Sequence, residues 1–471
     1  MRWNEQDVGS LRNITHYFLI FLLIQLILSC IYYPERIGFL DASFVLVKII
    51  NEGTPAIMVG RYGSILTQMW PWLGVKLGLS IDQLMLLYSA SFPMLNFICA
   101  WILYKIKQYS WVVVLGFYQL IFNTESYFWT NNELHQAMAL FCLGIGMYHY
   151  FTNASRHKFL KLIVSSLIVC ISIVTHPLML IVASYFWLFF LLEKGKQALN
   201  KDWILFNCTI LVTGIAKYIS SKYNWYDSQK IKIIQNIELT SVKELMKDTE
   251  FVSFFHDLPT VYPIALIGMV LLLISMVYYG LWKYGVLSYT YFFIHLLLVS
   301  LVVDINHRFY TESQYMLMSI FITAPIFLNY KKISPRFKSI SGLFALSAII
   351  WWVLLFRFTL TSYSNRVKWI ENMTSILHRN NQPKAIISSL DDIEMGILKF
   401  TWGLPSESLL LSTRNGSSVT LVHSDNMQSK IRSNVFHDCF KTRPNSYLNP
   451  KYFRIDEDAA YILMDSITVI K

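Results

Sequence analysis

Long apolar blocks constrain this chain more than any other feature of its sequence. They are about 17–22 residues long, the length at which a helix rising 1.5 Å per residue crosses roughly 30 Å of hydrocarbon. Charged residues make up only 15% of the 471 residues, whereas a soluble domain usually contains about a quarter. Because a water-soluble fold cannot cover so many apolar segments, the sequence predicts an α-helical polytopic membrane protein.

We predict about eleven transmembrane helices. Their approximate bounds are 14–33, 82–104, 110–123, 134–151, 160–175, 178–192, 203–220, 262–281, 287–304, 314–329 and 340–360. The fifth and sixth are separated only by Thr175, His176 and Pro177, and proline breaks the helical hydrogen-bond ladder. Segment 160–192 is therefore either two spans or one kinked span, and we predict two because it is too long for one.

The distribution of lysine and arginine predicts the orientation of these spans. With the N-terminus on the cytoplasmic side, the short inner loops carry lysine and arginine, whereas the short outer connections at 124–132 and 175–177 contain none. The longer outer segments 34–80 and 221–259 also carry basic residues, but long loops constrain orientation only weakly. This asymmetry follows the positive-inside rule, and an odd number of spans then places the C-terminus outside. Because these loops explain the net charge of +11, we predict membrane lipids and no nucleic acid among the partners.

The first outer loop, 34–80, is not a simple connection. Its segments 39–51 and 64–77 are predicted to be amphipathic helices that lie flat at the membrane interface. A stretch rich in glycine and proline separates the two segments and interrupts the helical pattern. A second outer segment, 221–259, is polar and predicts a short helix near 240–250.

The chain divides into a transmembrane domain, 1–360, and a tail, 361–471, that is predicted to be a small C-terminal α/β domain outside the membrane. Short apolar runs in the tail predict β-strands. These runs lie at 385–389, 409–412, 418–422 and 461–464.

Charged side chains near the outer ends of spans are costly unless they are paired or functional. Asp41 lies at the head of the first amphipathic segment, where partial burial would raise its basicity and suit it to act as a general base; the alternative is a helix N-cap or a first-turn Asp. Arg61 lies in a glycine-rich turn, so the backbone can approach a ligand while the guanidinium binds phosphate oxygens. The alternative for Arg61 is contact with lipid headgroups.

The connection before the fourth span contains two carboxylates and a histidine but no lysine or arginine. Glu133 would orient an acceptor hydroxyl or hold a cation at the start of that span, or it caps the helix. His135 is a substrate contact or a polar anchor. His176, at the outer turn before the sixth span, contacts substrate or caps the turn.

The densest polar cluster beside an apolar block lies at 303–315, at the outer end of the ninth span. His307 and Arg308 are good anion binders and Tyr310 offers a hydroxyl, which together predict a phosphate-binding site. The alternative is an ion pair between Asp304 and Arg308 that closes the loop. No Walker, GxSxG or HExxH motif occurs, so the sequence does not indicate a P-loop nucleotidase, an α/β-hydrolase or a zinc peptidase.

This arrangement resembles the GT-C superfamily of polytopic glycosyltransferases, in which membrane-parallel helices and a catalytic Asp or Glu follow the first span. Here the first span is followed by Asp41, two amphipathic segments and the second span. The polar start of the fourth span, the arginine–tyrosine cluster before a late span and the outer C-terminal domain also resemble the family. The resemblance covers the whole chain in architecture, but many members carry paired acidic residues in the first loop, whereas the nearest acidic neighbour of Asp41 is Glu35.

The resemblance implies an enzyme that moves a sugar from a polyprenyl-phosphate-linked donor to a hydroxyl of a glycan, lipid or protein acceptor. Asp41 or Glu133 would be the base. A cation among Arg61, Arg308 and His307 would stabilise the leaving phosphate. Direct displacement with one base would invert the anomeric centre.

Taken as a whole, the sequence resembles bacterial members of the family. This resemblance implies that the protein lies in an inner membrane, with catalysis and the C-terminal domain on the periplasmic side. Participation of a divalent metal is left open by the resemblance. Two other functions fit the same pattern: a transporter or flippase of lipid-linked saccharide, and an oligosaccharide polymerase. Charged groups that cluster at one face, instead of reaching inward through the bundle, favour the enzyme over the transporter.

Overall fold

The computed structural model describes residues 5–152, 158–195, 201–236, 250–302, 307–387, 400–423, 435–437, 441–456 and 458–464. Helices dominate these residues. In chain order they are α1 (Glu5–Ile31), α2 (Tyr33–Ile37), α3 (Leu40–Glu52), α4 (Ile65–Leu77), α5 (Ile81–Lys105), α6 (Tyr109–Tyr118), α7 (Glu133–Thr152), α8 (Lys158–Thr175), α9 (Met179–Lys194), α10 (Lys201–Tyr223), α11 (Trp225–Gln235), α12 (Glu250–Asp257), α13 (Pro263–Tyr279), α14 (Trp282–Val302), α15 (Arg308–Leu328), α16 (Pro335–Arg379) and α17 (Leu404–Arg414).

Apolar helices support the prediction of a helical membrane protein. Within the described residues, five helices are long and apolar enough to cross a membrane, namely α1, α5, α10, α14 and α16. Helices α6, α8 and α13 are apolar but shorter. Each of the eleven segments predicted from the sequence coincides with a separate helix, and the fifth and sixth are two helices that end and begin on either side of His176 and Pro177.

The two amphipathic segments of the first loop are helical, as predicted. Helix α3 covers Leu40–Glu52 and ends at Gly53, whose φ of +63° closes the helix in a conformation that favours glycine. Helix α4 covers Ile65–Leu77 and packs on α5. The predicted helix near 240–250 lies almost entirely outside the described residues.

Helix α16 extends well beyond its predicted span at 340–360. It is 45 residues long, about 68 Å at 1.5 Å per residue, and Ser334 caps its start by accepting the Phe337 N–H. The domain boundary predicted at residue 360 therefore falls inside a continuous helix. One helix therefore contains both the predicted eleventh span and the first residues of the tail.

The tail contains a parallel sheet of three short strands in the order β2–β1–β5, where β1 is Lys384–Ile387, β2 is Thr420–His423 and β5 is Ile462–Met464. An antiparallel pair joins β3 (Val435–His437) to β4 (Thr442–Pro444). The strand predicted at 409–412 is wrong, because these residues belong to helix α17. They are buried on all sides, and an apolar run without periodicity does not distinguish a buried strand from a buried helix.

Two large apolar clusters, beside a small third one in the tail, form the core of the residues that the structure describes. The larger one fills the bundle of long helices. The smaller one is shared between the first loop and the tail, since Val45 and Ile49 of α3 belong to the same cluster as Ile370 of α16 and Leu410 of α17. The helix that carries Asp41 is therefore packed between the bundle and the tail.

Candidate functional site

A cavity of about 200 Å³ lies where segment 34–80 meets the ends of several long helices. Four of the residues predicted from the sequence line it: Arg61, Glu133, His176 and Tyr310. They come from four separate segments of the chain. The structure thus brings together residues whose proximity the sequence could only suggest.

Arg61 is the electrostatic centre of this cavity. Its Nη1 donates to Glu133 Oε2 at 2.6 Å, its Nη2 lies 3.7 Å from Asp227 Oδ1, and the guanidinium sits 5.7 Å from the centre of the Tyr226 ring. Burial acts to lower the pKa of Arg61, but the two carboxylates outweigh it and raise that pKa above its usual value. The guanidinium therefore stays charged in its half-enclosed position.

Hydrogen bonds from helix α10 and from the N-cap residue of helix α11 hold the turn that carries Arg61. Val59 and Gly60 adopt positive φ values of +44° and +68°, which are costly for a β-branched residue such as valine. The Asn224 side-chain amide donates to the Val59 carbonyl, and Lys217 Nζ donates to the Gly60 carbonyl at 3.4 Å. The bonds from Lys217 and from Asn224 stabilise the positive φ values of Val59 and Gly60.

Asp41 lies beside the cavity and contacts it through Trp129, a lining residue. Trp129 Nε1 donates to Asp41 Oδ2 at 2.8 Å. Phe39 occupies the N-cap position of α3 and Asp41 lies in its first turn, so of the two structural alternatives Asp41 fits a first-turn Asp and not an N-cap. Burial raises the pKa of Asp41 to about 6; nearby Glu133 also raises it, while the Trp129 bond and Arg61 oppose the rise. A carboxylate with this pKa is suited to accept a proton near neutral pH.

Trp129 is a central residue that the sequence reasoning missed. Its ring packs against Phe309 and Tyr310 with centroid separations of 5.4 Å in both cases. The Tyr310 hydroxyl in turn lies 3.0 Å from the hydroxyl of Tyr226. The only sequence signal was an aromatic residue within a polar outer connection, which does not identify its partner.

Arg308 belongs to a second cluster that does not line the cavity. Its Nε donates to Glu312 Oε1 at 3.0 Å and its Nη1 lies 3.8 Å from Glu125 Oε1. Burial, reinforced by Glu312, raises the pKa of Glu125 to about 7, although Arg308 opposes the rise. The alternative partner predicted for Arg308, Asp304, lies outside the described residues.

Glu312 is a further residue that the sequence reasoning did not single out. Its carboxylate is fully buried, and its Oε2 accepts the backbone N–H groups of Thr124, Glu125 and Ser126 at 3.0, 2.7 and 3.1 Å. Three such bonds fix the connection that carries Trp129. Glu312 thereby links the start of α15 to the connection before α7.

The predicted histidines occupy three different surroundings. His176 lines the cavity, and its Nδ1 accepts the Leu178 N–H at 3.2 Å, so it also caps the turn. Burial, with Arg61 as the next cause, lowers the pKa of His176 well below its usual value. His135 is buried in a separate pocket beside Arg36, and His307 packs on Phe400 with ring centroids 3.8 Å apart.

Apolar side chains form one wall of the cavity. They are contributed by α9, α11 and α14, and they are Ile181, Ile231, Ile234, Leu298, Val299 and Val302. Lys230 lies at the same wall and donates to the Val302 carbonyl at 2.9 Å. A space with charged groups at one end and an apolar wall matches a molecule that has an anionic head and a hydrocarbon tail.

The carboxylates around the cavity do not form a metal-binding group. Within the described residues, no cluster of three or more His, Cys, Asp and Glu side chains has the arrangement to hold a metal ion. Glu133 and Asp227 face the Arg61 guanidinium instead. Both carboxylates are therefore engaged by a cation of the protein itself.

Comparisons with family models, curated proteins and solved structures find no match to this chain.

Proposed function

We propose that this protein is a membrane glycosyltransferase of the GT-C type that transfers a sugar from a polyprenyl-phosphate-linked donor to an acceptor hydroxyl. The observation that carries the proposal is the position of Asp41. Its carboxylate has a raised pKa and is tied by Trp129 to a cavity with a cationic end and an apolar wall. That combination suits a base acting beside an amphiphilic donor.

The donor would lie with its isoprenoid chain along the apolar wall and its phosphate near Arg61 and Lys230. Arg61 is partly neutralised by Glu133 and Asp227, and Lys230 adds a second cationic side chain to the lining of the cavity. These cations would stabilise the negative charge that develops on the leaving phosphate. Asp41 would accept the proton of the attacking hydroxyl, with Glu133 holding Arg61 in place, and a single displacement would invert the anomeric centre.

The proposed topology has eleven crossings, with the N-terminus in the cytoplasm and the C-terminal unit on the periplasmic side of a bacterial inner membrane. The lysine and arginine residues of the short inner loops, and their absence from the short outer connections at 124–132 and 175–177, support it. In this topology Asp41, Arg61, Glu133, His176 and Tyr310 all lie on the outer side. Donor headgroups and acceptors would meet there.

The experiment is incubation of the purified protein in proteoliposomes with a panel of polyprenyl-linked sugars, scoring transfer to added acceptors. We expect transfer from at least one donor, with inversion at the anomeric carbon. A parallel arm measures movement of a labelled lipid-linked saccharide across the bilayer. Translocation without transfer would support the transporter alternative and overturn the enzyme proposal.

A further inference from the structure

A buried ion pair joins helix α17 of the tail to the long helix α16. Arg366 Nη2 lies 2.7 Å from Glu407 Oε2, and Arg366 Nε donates to the same oxygen at 2.9 Å. The side chains are 1% and 0% exposed. Replacing a buried ion pair by apolar residues is often neutral or stabilising, so stability alone is a weak reason for such a pair.

Glu407 makes another bond that points to a different role. Its Oε1 accepts the backbone N–H of Leu40 at 2.8 Å, and Leu40 directly precedes Asp41. Leu40 has a φ of +44°, in the left-handed region that is unfavourable for a leucine. The carboxylate therefore holds the chain in a strained conformation at the point where the Asp41 helix begins.

The surroundings of this bond leave little room for adjustment. A Cβ added to Gly403 would lie 2.6 Å from Glu407 Oε1 and 2.7 Å from the Leu40 Cα. The Arg366 guanidinium also stacks over the Phe39 ring at 5.3 Å and donates through Nη2 to the Phe400 carbonyl at 2.8 Å. The tail segment thus contacts the residues on the N-terminal side of Asp41.

We propose that Glu407, held by Arg366, is a positioning residue that sets the start of helix α3 so that the Asp41 carboxylate meets the Trp129 indole. The tail would then be part of the reaction machinery and not only a cover for the outer face. This inference rests on the proposed function in one respect, since it takes Asp41 to be the base. The dependence of the Asp41–Trp129 contact on Glu407 does not require that Asp41 is the base.

Two double variants separate the Leu40 bond from the ion pair. Arg366→Met with Glu407→Gln removes both charges but keeps a side-chain oxygen that can accept the Leu40 N–H. Arg366→Met with Glu407→Leu removes the charges and the acceptor together. Because neither variant leaves a buried charge unpaired, both are expected to fold.

The chain also offers a matched control on the same helix. Glu371 accepts from Arg414 Nη1 at 3.2 Å and so also joins α16 to α17, but both side chains are 27% exposed. Glu371→Gln breaks this bridge without touching Leu40. This variant should leave unchanged both the pH-dependent shift of the Trp129 indole resonance and the rate of sugar transfer.

The direct readout is the indole N–H resonance of Trp129 in protein labelled with ¹⁵N-tryptophan, assigned by its absence in Trp129→Phe. In the unmodified protein we expect this resonance to shift with pH as Asp41 ionises. The glutamine double variant should preserve the shift, whereas the leucine double variant should lose it or move its midpoint. Sugar transfer should fall at least about tenfold only in the leucine variant, since small misplacements of a reacting group are costly.

Equal pH-dependent shifts in the two double variants would overturn the inference, and so would a Trp129 resonance that does not respond to pH in the unmodified protein. If the resonance behaves as expected but no donor supports transfer, the proposed function fails while the positioning role is retained. The two failures are therefore distinguishable.

Discussion

Removal of the indole N–H beside Asp41 should shift the pH dependence of sugar transfer. Trp129→Phe keeps an aromatic ring that can pack on Phe309 and Tyr310, but it deletes the donor that lies 2.8 Å from Asp41 Oδ2. That bond lowers the pKa of Asp41 against the rise caused by burial. Its loss should therefore raise the pKa above about 6.

The size of the shift follows from the strength of the lost bond. A hydrogen bond to a charged group contributes about 1.5–3 kcal/mol, and one pKa unit corresponds to about 1.4 kcal/mol. Because Asp41 is only partly buried by surface area, we take the lower end, which corresponds to a rise of about one unit. A base must be ionised to act, so activity should rise through this pKa as pH increases.

The assay is the pH profile of kcat/KM for sugar transfer by the unmodified protein and by Trp129→Phe. We expect the acidic limb to have its midpoint near pH 6 in the former and about one unit higher in the latter. Activity at high pH should remain within a few-fold, because the base is then ionised in both. An unchanged acidic limb would refute the assignment of Asp41 as the base.

Three other perturbations follow from the same geometry. Glu312→Gln should lower the free energy of unfolding by about 1–3 kcal/mol, since it removes the charge that faces Arg308 and weakens the bonds to the backbone N–H groups of 124–126; thermal unfolding measures it, and an unchanged stability would contradict it. Ile234→Trp places a larger side chain on the apolar wall, at a position that is 41% exposed, and so narrows the cavity. The KM for donors with a long isoprenoid chain should then rise more than the KM for short-chain analogues. An equal effect on both would show that the isoprenoid chain does not lie along this wall. Lys230→Gln should slow transfer about tenfold or more by removing charge near the phosphate, and full activity would argue against its role.

The sequence predicted the helical segments well because apolar blocks and amphipathic periodicity are local signals. The helices at Leu40–Glu52 and Ile65–Leu77 match the predicted segments within one residue at each end. Helix α16 was predicted to end near residue 360 because the sequence becomes polar there. The helix continues because its later residues, such as Ile370, pack on the tail and the first loop.

The candidate site was predictable only in part, because its partners are distant in sequence. The predicted ends of the spans pointed to Asp41, Arg61 and Glu133 as candidates, and the structure places the latter two in direct contact. No local pattern could show that Glu312 accepts three backbone N–H groups from another segment. The same holds for Glu407, which contacts Leu40 across 367 positions of sequence.

The run at 409–412 shows the limit of local patterns most clearly. Three consecutive leucines are compatible with a buried strand or a buried helix, and here they form a helix with Pro405 in its first turn. Ser408 and Ser412 then donate to backbone carbonyls within or beside the helix and accept N–H groups of the neighbouring strand segment. Tertiary contacts therefore decided the conformation.

Transfer from a polyprenyl-phosphate-linked sugar by Asp41→Asn, with Asp82→Asn as the matched control, tests the central claim most directly. Asp82 also lies in the first turn of a helix, α5, but it bonds Tyr33 and Arg414 away from the cavity. We predict that Asp41→Asn folds normally and loses transfer by at least about a hundredfold, whereas Asp82→Asn retains it. Full activity of a folded Asp41→Asn variant would contradict the account.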